Sequence, residues 1–139
     1  MKRGFCLSRG VGLFCFFGLI YAYGGITGPT FDATFSPSQI GPGSISTLTF
    51  TINNVTGDPV EDMAFSTTLP AGLLFAPSSI PQTTCQEATL AFDDPINPTT
   101  LTFSGRVLGI DQSCTVTVSV IGPATGNYNF ISGSLKFWK

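Results

Sequence analysis

The sequence predicts an all-β domain, an antiparallel β-sandwich of seven or eight short strands that follows an N-terminal hydrophobic signal segment. Apolar and polar residues alternate with period two in several segments, and turn-forming residues separate these segments. Beyond the first 24 residues, no apolar pattern of period 3.6 continues for ten residues. Short strands at this spacing favour a sandwich with Greek-key connections, and a closed barrel is the alternative.

Two segments have the clearest strand pattern. Ser46 to Asn53 places leucine, phenylalanine and isoleucine on one face and three threonines on the other. Ser113 to Ile121 alternates in the same way, with Cys114 and three valines on the apolar face. Threonine is β-branched and suits the solvent-facing side of a pleated sheet. These two segments are therefore predicted to be central, half-buried strands.

Weaker alternation predicts six further strands, and proline and glycine mark the turns between them. The predicted strands are Phe31–Phe35, Met63–Leu69, Leu73–Ala76, Thr89–Phe92, Thr100–Ser104 and Asn127–Ile131. Gly41-Pro42-Gly43 and Pro70-Ala71-Gly72 have the residues that tight turns require. Five phenylalanines fall at apolar strand positions and are assigned to the core: Phe35, Phe65, Phe75, Phe92 and Phe103.

The N-terminus has the layout of a secretory signal. Lys2, Arg3 and Arg9 precede an apolar run from Val11 to Tyr23, and small residues follow at Ala22 and Gly24. The run is shorter than the roughly 20 residues of a membrane-spanning helix, and an uncleaved anchor is the alternative. We therefore expect a secreted or cell-surface protein with a signal at residues 1–24, a linker at 25–30, a sandwich at 31–135 and a tail at 136–139.

Cleavage near Gly24 would leave two cysteines, Cys85 and Cys114. An even pair in an exported chain is most simply a disulfide, which would stabilise the fold by roughly 3–4 kcal/mol. The alternative is two buried thiols. A metal site is disfavoured because two cysteines without histidine cannot complete a tetrahedral shell.

Composition excludes several classes of function. The chain has no histidine, so the Ser-His-Asp and Cys-His arrangements of hydrolases are absent. After cleavage, three basic and eight acidic residues would remain, a net charge of −5, which is the wrong sign for nucleic acid. We expect no catalytic residues, no cofactor and no nucleic-acid partner, and contact with a membrane only through an uncleaved N-terminal segment.

Three local motifs are candidate sites with ordinary alternatives. Asp93-Asp94 is a weak candidate for Ca²⁺, which takes six to eight oxygens, although acids beside proline are common in turns. Glu61-Asp62 is a second acidic pair, and it is expected to lie between strands. Asn54-Val55-Thr56 matches the glycosylation sequon in a loop, but the triplet is common by chance.

Several ordered motifs carry a family resemblance. They are Phe35–Asn54 (FSPSQIGPGSISTLTFTINN), Met63–Pro77 (MAFSTTLPAGLLFAP), Thr83–Cys85 (TTC) and Gln112–Phe130 (QSCTVTVSVIGPATGNYNF). This series resembles one repeat of the uncharacterised "conserved repeat" domains of large bacterial surface and secreted proteins. The resemblance implies an Ig-like β-sandwich that serves as a stalk or adhesion module, usually with tandem neighbour domains and without known catalysis.

The sequence-based expectation is therefore a non-catalytic structural or adhesive module of an exported bacterial protein, which meets an unknown surface or matrix partner. The alternative is a free-standing secreted domain that binds carbohydrate or Ca²⁺.

Overall fold

The computed structural model describes residues 2–3, 14–19, 28–76, 78–122 and 126–138, and the regular elements in these ranges are all β-strands. The predicted all-β class is confirmed. In chain order the strands are β1 (Lys2–Arg3), β2 (Phe14–Leu19), β3 (Thr30–Ser36), β4 (Gln39–Ile40), β5 (Ile45–Asn53), β6 (Val60–Thr68), β7 (Leu74–Phe75), β8 (Gln82–Thr83), β9 (Thr89–Phe92), β10 (Thr100–Leu108), β11 (Ser113–Ile121), β12 (Gly126–Ile131) and β13 (Lys136–Trp138). The predicted cleavage site at Ala22 and Gly24 lies outside the described residues.

The strands form two main sheets and one small sheet. Sheet 1 has the order β3-β5-β11-β7, with β8 also paired to β11, and sheet 2 has the order β13-β6-β10-β9. All pairs in these two sheets are antiparallel. In the small sheet, β2 pairs with β1 and β4 in antiparallel fashion and with β12 in parallel. In the described ranges, no helix has the length and apolar character needed to cross a membrane.

The two best-patterned segments pair with each other at the centre of sheet 1. β5 and β11 are matched over nine residues, and their apolar faces coincide because Leu48 is opposite Val118 and Phe50 is opposite Val116. All four of these side chains are buried. A shift of one residue would turn both apolar rows toward solvent, so this pattern fixes the register.

Phenylalanines from both sheets meet in the core. Phe31 and Phe50 of sheet 1 lie 4.9 and 4.8 Å from the ring centre of Phe65 in sheet 2, and Phe65 lies 4.9 Å from Phe103. Rings at these separations attract beyond their burial of apolar area. The contacts join the two sheets face to face, as in a sandwich, and the barrel alternative is wrong.

Three of the differences from the sequence-based boundaries lie in sheet 2. Glu61 and Asp62 lie inside β6 and not between strands, and β10 continues for four residues beyond Ser104. Residues 136–138 of the expected tail form β13 at the edge of sheet 2. In β6 and β10 the alternation of buried and exposed residues is interrupted at the same register. Period-two alternation therefore does not predict the start of β6 or the end of β10. β13 is too short for a periodic signal.

Asn54 joins two of the connections that cross between the sheets. It follows β5 in the connection to β6, and its fully buried side-chain amide donates to the carbonyl oxygens of Leu108 and Gly109, both at 3.0 Å, where β10 leaves for β11. Nδ2 also donates to the carbonyl of Asp58, and Oδ1 accepts from the backbone N–H and the hydroxyl of Thr56. The side chain of the sequon asparagine, Asn54, is thus buried and fully hydrogen-bonded within the fold, which leaves no room for a glycan.

Cys85 and Cys114 form a disulfide, as the sequence predicted. Cys114 lies on the buried face of β11, and Cys85 follows the short strand β8, with 4.9 Å between the two Cα atoms. Hydrogen bonds reinforce the link, since Thr84 donates its backbone N–H to the Thr115 carbonyl and accepts from the Thr115 N–H, both at 2.9 Å. The bridge therefore holds the segment after β8 against sheet 1.

Replacing both cysteines in Cys85→Ala/Cys114→Ala should lower the free energy of unfolding by about 3–4 kcal/mol. The bridge closes a loop with a sequence separation of 29, which restricts the unfolded chain. Urea unfolding of the oxidised protein and of the variant measures this difference. A loss below about 1 kcal/mol would show that the bridge contributes little.

Candidate functional site

The predicted Ca²⁺ candidates, Asp93 and Asp94, accept hydrogen bonds from the loop in which they lie. Asp93 accepts from the backbone N–H groups of Thr99 and Thr100 at 3.0 and 2.9 Å, and from the Thr99 hydroxyl at 3.0 Å. Asp94 accepts from the N–H groups of Ile96 and Asn97. Within the described ranges, no three histidine, cysteine or acidic side chains are close enough to hold a metal ion. The structure thus gives both acids a role in shaping the connection from β9 to β10.

Hydrogen bonding changes the acidity of Asp93. The Thr100 N–H stabilises the ionised carboxylate and lowers the pKa of Asp93 below its ordinary value, and the Thr99 donors act in the same direction. The ionised form of Asp93 is therefore the form that the folded loop favours.

A second group of charged residues comes together on the outer face of sheet 2. Between the buried residues Val60 and Met63, β6 turns both Glu61 and Asp62 outward. At the same register β10 turns Arg106 outward and leaves Val107 half-buried, between buried Gly105 and Leu108. The double interruption of the alternation leaves a depression of about 570 Å³, lined by Glu61, Asp62, Glu87, Arg106 and Val107.

Backbone conformation contributes to this arrangement. Asp62 and Glu87 have φ angles of 47° and 48°, in the left-handed region that non-glycine residues seldom adopt. A left-handed residue interrupts an extended strand, which explains why Asp62 follows Glu61 on the same face. Aspartate tolerates this region better than most side chains do.

Arg106 is the electrostatic centre of the group. Its Nη1 donates to Glu87 Oε2 at 2.9 Å, and the two side chains are 70% and 64% exposed. The hydrogen bond to Glu87 raises the pKa of Arg106 above its ordinary value, with smaller contributions from the charges of Asp62 and Glu61. An ion pair this exposed contributes little to stability, because solvent screens the attraction between the two charges.

The depression continues in both directions along β10. Toward the middle of sheet 2 it shares Asp62, Glu87 and Arg106 with a hollow that also reaches Ala64 and Ser104. Toward the disulfide it shares Val107 with a hollow lined by Gln86 and Gln112, among others. We call this continuous surface, from Ser104 through Arg106 to Gln112, the charged trough.

An exposed tryptophan flanks the charged trough. Trp138 is opposite Glu61 in the pairing of β13 with β6, and it is 72% exposed. Phe137 packs against the core, so its neighbours Lys136 and Trp138 project from the outer face of sheet 2. The chain has one tryptophan, and it lies beside the carboxylates of the trough.

The sequence pattern did not predict that these residues form one site. Glu61 and Asp62 stood out as an adjacent pair, but nothing in the pattern placed them opposite Arg106. Glu87 follows the disulfide loop and reaches Arg106 across 19 residues of sequence. The signal that could have revealed the trough is the loss of period two at the same distance from the crossovers in β6 and β10.

These features define a disulfide-linked, all-β sandwich domain with a charged outer surface. The chain belongs to a family described as "Domain of unknown function (DUF7933)", whose family model matches residues 29–137. That match includes the first two residues of β13 and extends beyond the expected domain boundary at residue 135.

The comparison with solved structures found a partial similarity. It is the solution structure of the chitin-binding domain of a hyperthermophilic chitinase from Pyrococcus furiosus, with a TM-score of 0.47 and 14% sequence identity. The similarity covers 80% of this chain and 88% of that domain. No curated protein matches the sequence.

Asp93→Asn should reduce the dependence of stability on acid pH. Because folding lowers the pKa of Asp93, its contribution is present above the unfolded-state pKa of about 3.9 and is lost as pH falls through the lower folded-state value. The free energy of unfolding, measured with urea at a series of pH values, should therefore decline less steeply below about pH 4 in the variant than in the wild type. Asp111→Asn is the control, and parallel curves for wild type and Asp93→Asn would contradict the prediction.

Proposed function

We propose that the domain is a non-catalytic structural or adhesive module of an exported bacterial protein, and that it presents a binding surface on a rigid sandwich. The disulfide between Cys85 and Cys114 is the observation that carries this proposal. Disulfides of this kind persist in oxidising compartments and are rare in the cytosol. The bridge also makes the segment that supplies Gln86 and Glu87 part of the rigid body.

The two-layer architecture supports the Ig-like interpretation. An Ig-type sandwich packs two antiparallel sheets face to face, and here sheet 1 and sheet 2 meet through Phe50 and Phe65. The connections that leave β5 and β10 are joined by Asn54 at one end of the sandwich.

The character of the charged trough supports binding over catalysis. Its guanidinium and carboxylates are widely open to solvent, and Arg106 is neutralised by Glu87. General acid-base groups usually have pKa values moved toward neutrality by burial. The resolved shift in the trough moves the pKa of Arg106 away from neutrality. A surface of this kind holds a partner through hydrogen bonds and contact area.

The compartment is tested by expressing the full chain in bacteria with a C-terminal epitope tag. We expect the protein outside the cytoplasm, with Cys85 and Cys114 resistant to thiol alkylation until a reductant is added. A variant with Leu13→Arg and Phe16→Arg is the control, since charges in the apolar run should block export and leave both thiols reactive. A wild-type chain that stays in the cytosol with both thiols reactive would refute the exported module.

A further inference from the structure

The charged trough has the length and openness of a site for an extended ligand. Its lining residues on β10 run from Ser104 to Leu108, which corresponds to about 13 Å at roughly 3.3 Å per residue. The three hollows follow one another along this strand and share residues. A linear chain of linked units would fill such a surface better than a compact molecule would.

The trough offers hydrogen-bond donors and acceptors in alternation. Glu61, Asp62 and Glu87 supply carboxylate acceptors, Arg106 supplies guanidinium donors, and Gln86 and Gln112 supply amides that do both. Within the described residues, one side-chain hydrogen bond links these charged groups, and it joins Arg106 to Glu87. The carboxylates of Glu61 and Asp62 are therefore available to a ligand.

The mixture of charges indicates what kind of ligand fits. Lys136 lies on the same outer face as Arg106, so two cationic side chains accompany the three carboxylates. A strongly cationic or anionic polymer would meet groups of its own sign here, which costs free energy. A neutral ligand with many hydroxyl groups can use both kinds, because a hydroxyl donates to a carboxylate and accepts from a guanidinium.

Trp138 supplies an exposed aromatic surface next to the trough. Because Trp138 is 72% exposed, burial of its indole ring contributes little to the stability of the fold. The ring combines a polar N–H with an apolar face. A sugar ring has the complementary build, with hydroxyl groups at its edge and C–H groups on its face. Stacking on Trp138 would leave the sugar hydroxyls directed toward Glu61, the residue opposite in β6.

We infer that the charged trough binds a linear oligosaccharide, with one sugar ring stacked on Trp138 and neighbouring hydroxyl groups bonded to Glu61, Asp62 and Arg106. The inference rests on the proposed adhesive function and names the ligand class of that module. The disulfide and the pairing of β13 with β6 hold the two sides of the site in place before the ligand arrives, which limits the entropy lost on binding.

The single tryptophan allows a direct test with the full chain. The probes are short linear oligomers of glucose, of mannose and of N-acetylhexosamine, titrated to millimolar concentration while the emission of Trp138 is recorded. At least one series should give a saturable change in emission, because a stacked sugar displaces water from the indole. Calorimetric titration of the same oligomer supplies an affinity that does not depend on the fluorophore.

Three variants then locate the site. Trp138→Ala, Glu61→Gln and Arg106→Gln should each weaken the calorimetric affinity by about tenfold or more, since each removes a stacking surface or a charge-assisted hydrogen bond. Ile96→Ala is the matched control, because Ile96 is an equally exposed side chain, 71%, in the connection that enters the other end of β10. Thermal melting should confirm that all four variants fold, since the altered side chains lie at the surface.

Three results would overturn the inference. One is the absence of any saturable response to the three oligomer series at millimolar concentration. Another is binding that the Trp138, Glu61 and Arg106 variants leave unchanged. The third is tight binding of a lysine-rich peptide with no oligosaccharide binding, which would indicate a cationic polypeptide as the partner. None of these results depends on export, so they are distinguishable from a failure of the proposed function.

Discussion

The structure depends on one buried amide at the end of the sandwich. Asn54 lies where the chain passes from sheet 1 to sheet 2, and it bonds to Leu108 and Gly109 where the chain passes back. Both crossings present backbone carbonyls to this amide, and a buried carbonyl that is left without a donor costs about 1–3 kcal/mol. A side chain with both donor and acceptor groups is required there, and asparagine supplies them while it also holds Thr56.

The charged trough follows from that constraint. With the two crossings held together, β6 starts opposite the end of β10. Both strands interrupt their alternation within a few residues of that point. The interruption turns Glu61, Asp62 and Arg106 to the outer face, where Glu87 arrives from the disulfide-linked segment. Buried contacts thus determine where surface charges gather, and the trough is as rigid as the end of the sandwich that supports it.

The sequence predicts the regular part of this domain well, and the irregular part poorly. β5, β9 and β11 follow from period two because each has one apolar face against the phenylalanine core. The pairing of the two cysteines follows from their even number. The outward turn at Asp62 and the short strand β13 do not follow, because they arise from left-handed backbone and from tertiary pairing with β6. The candidate site is built from those irregular parts, so its residues could be noticed in the sequence but not assembled.

The central claim is that the Asn54 amide holds the two crossings together. Its most direct test is urea unfolding of Asn54→Leu, which keeps a side chain of similar size and removes every hydrogen bond of the amide. The account predicts a loss of about 2–5 kcal/mol in the free energy of unfolding, against a small change for the neighbouring control Val55→Ala, whose side chain is exposed. A loss below about 0.5 kcal/mol for Asn54→Leu would contradict the account.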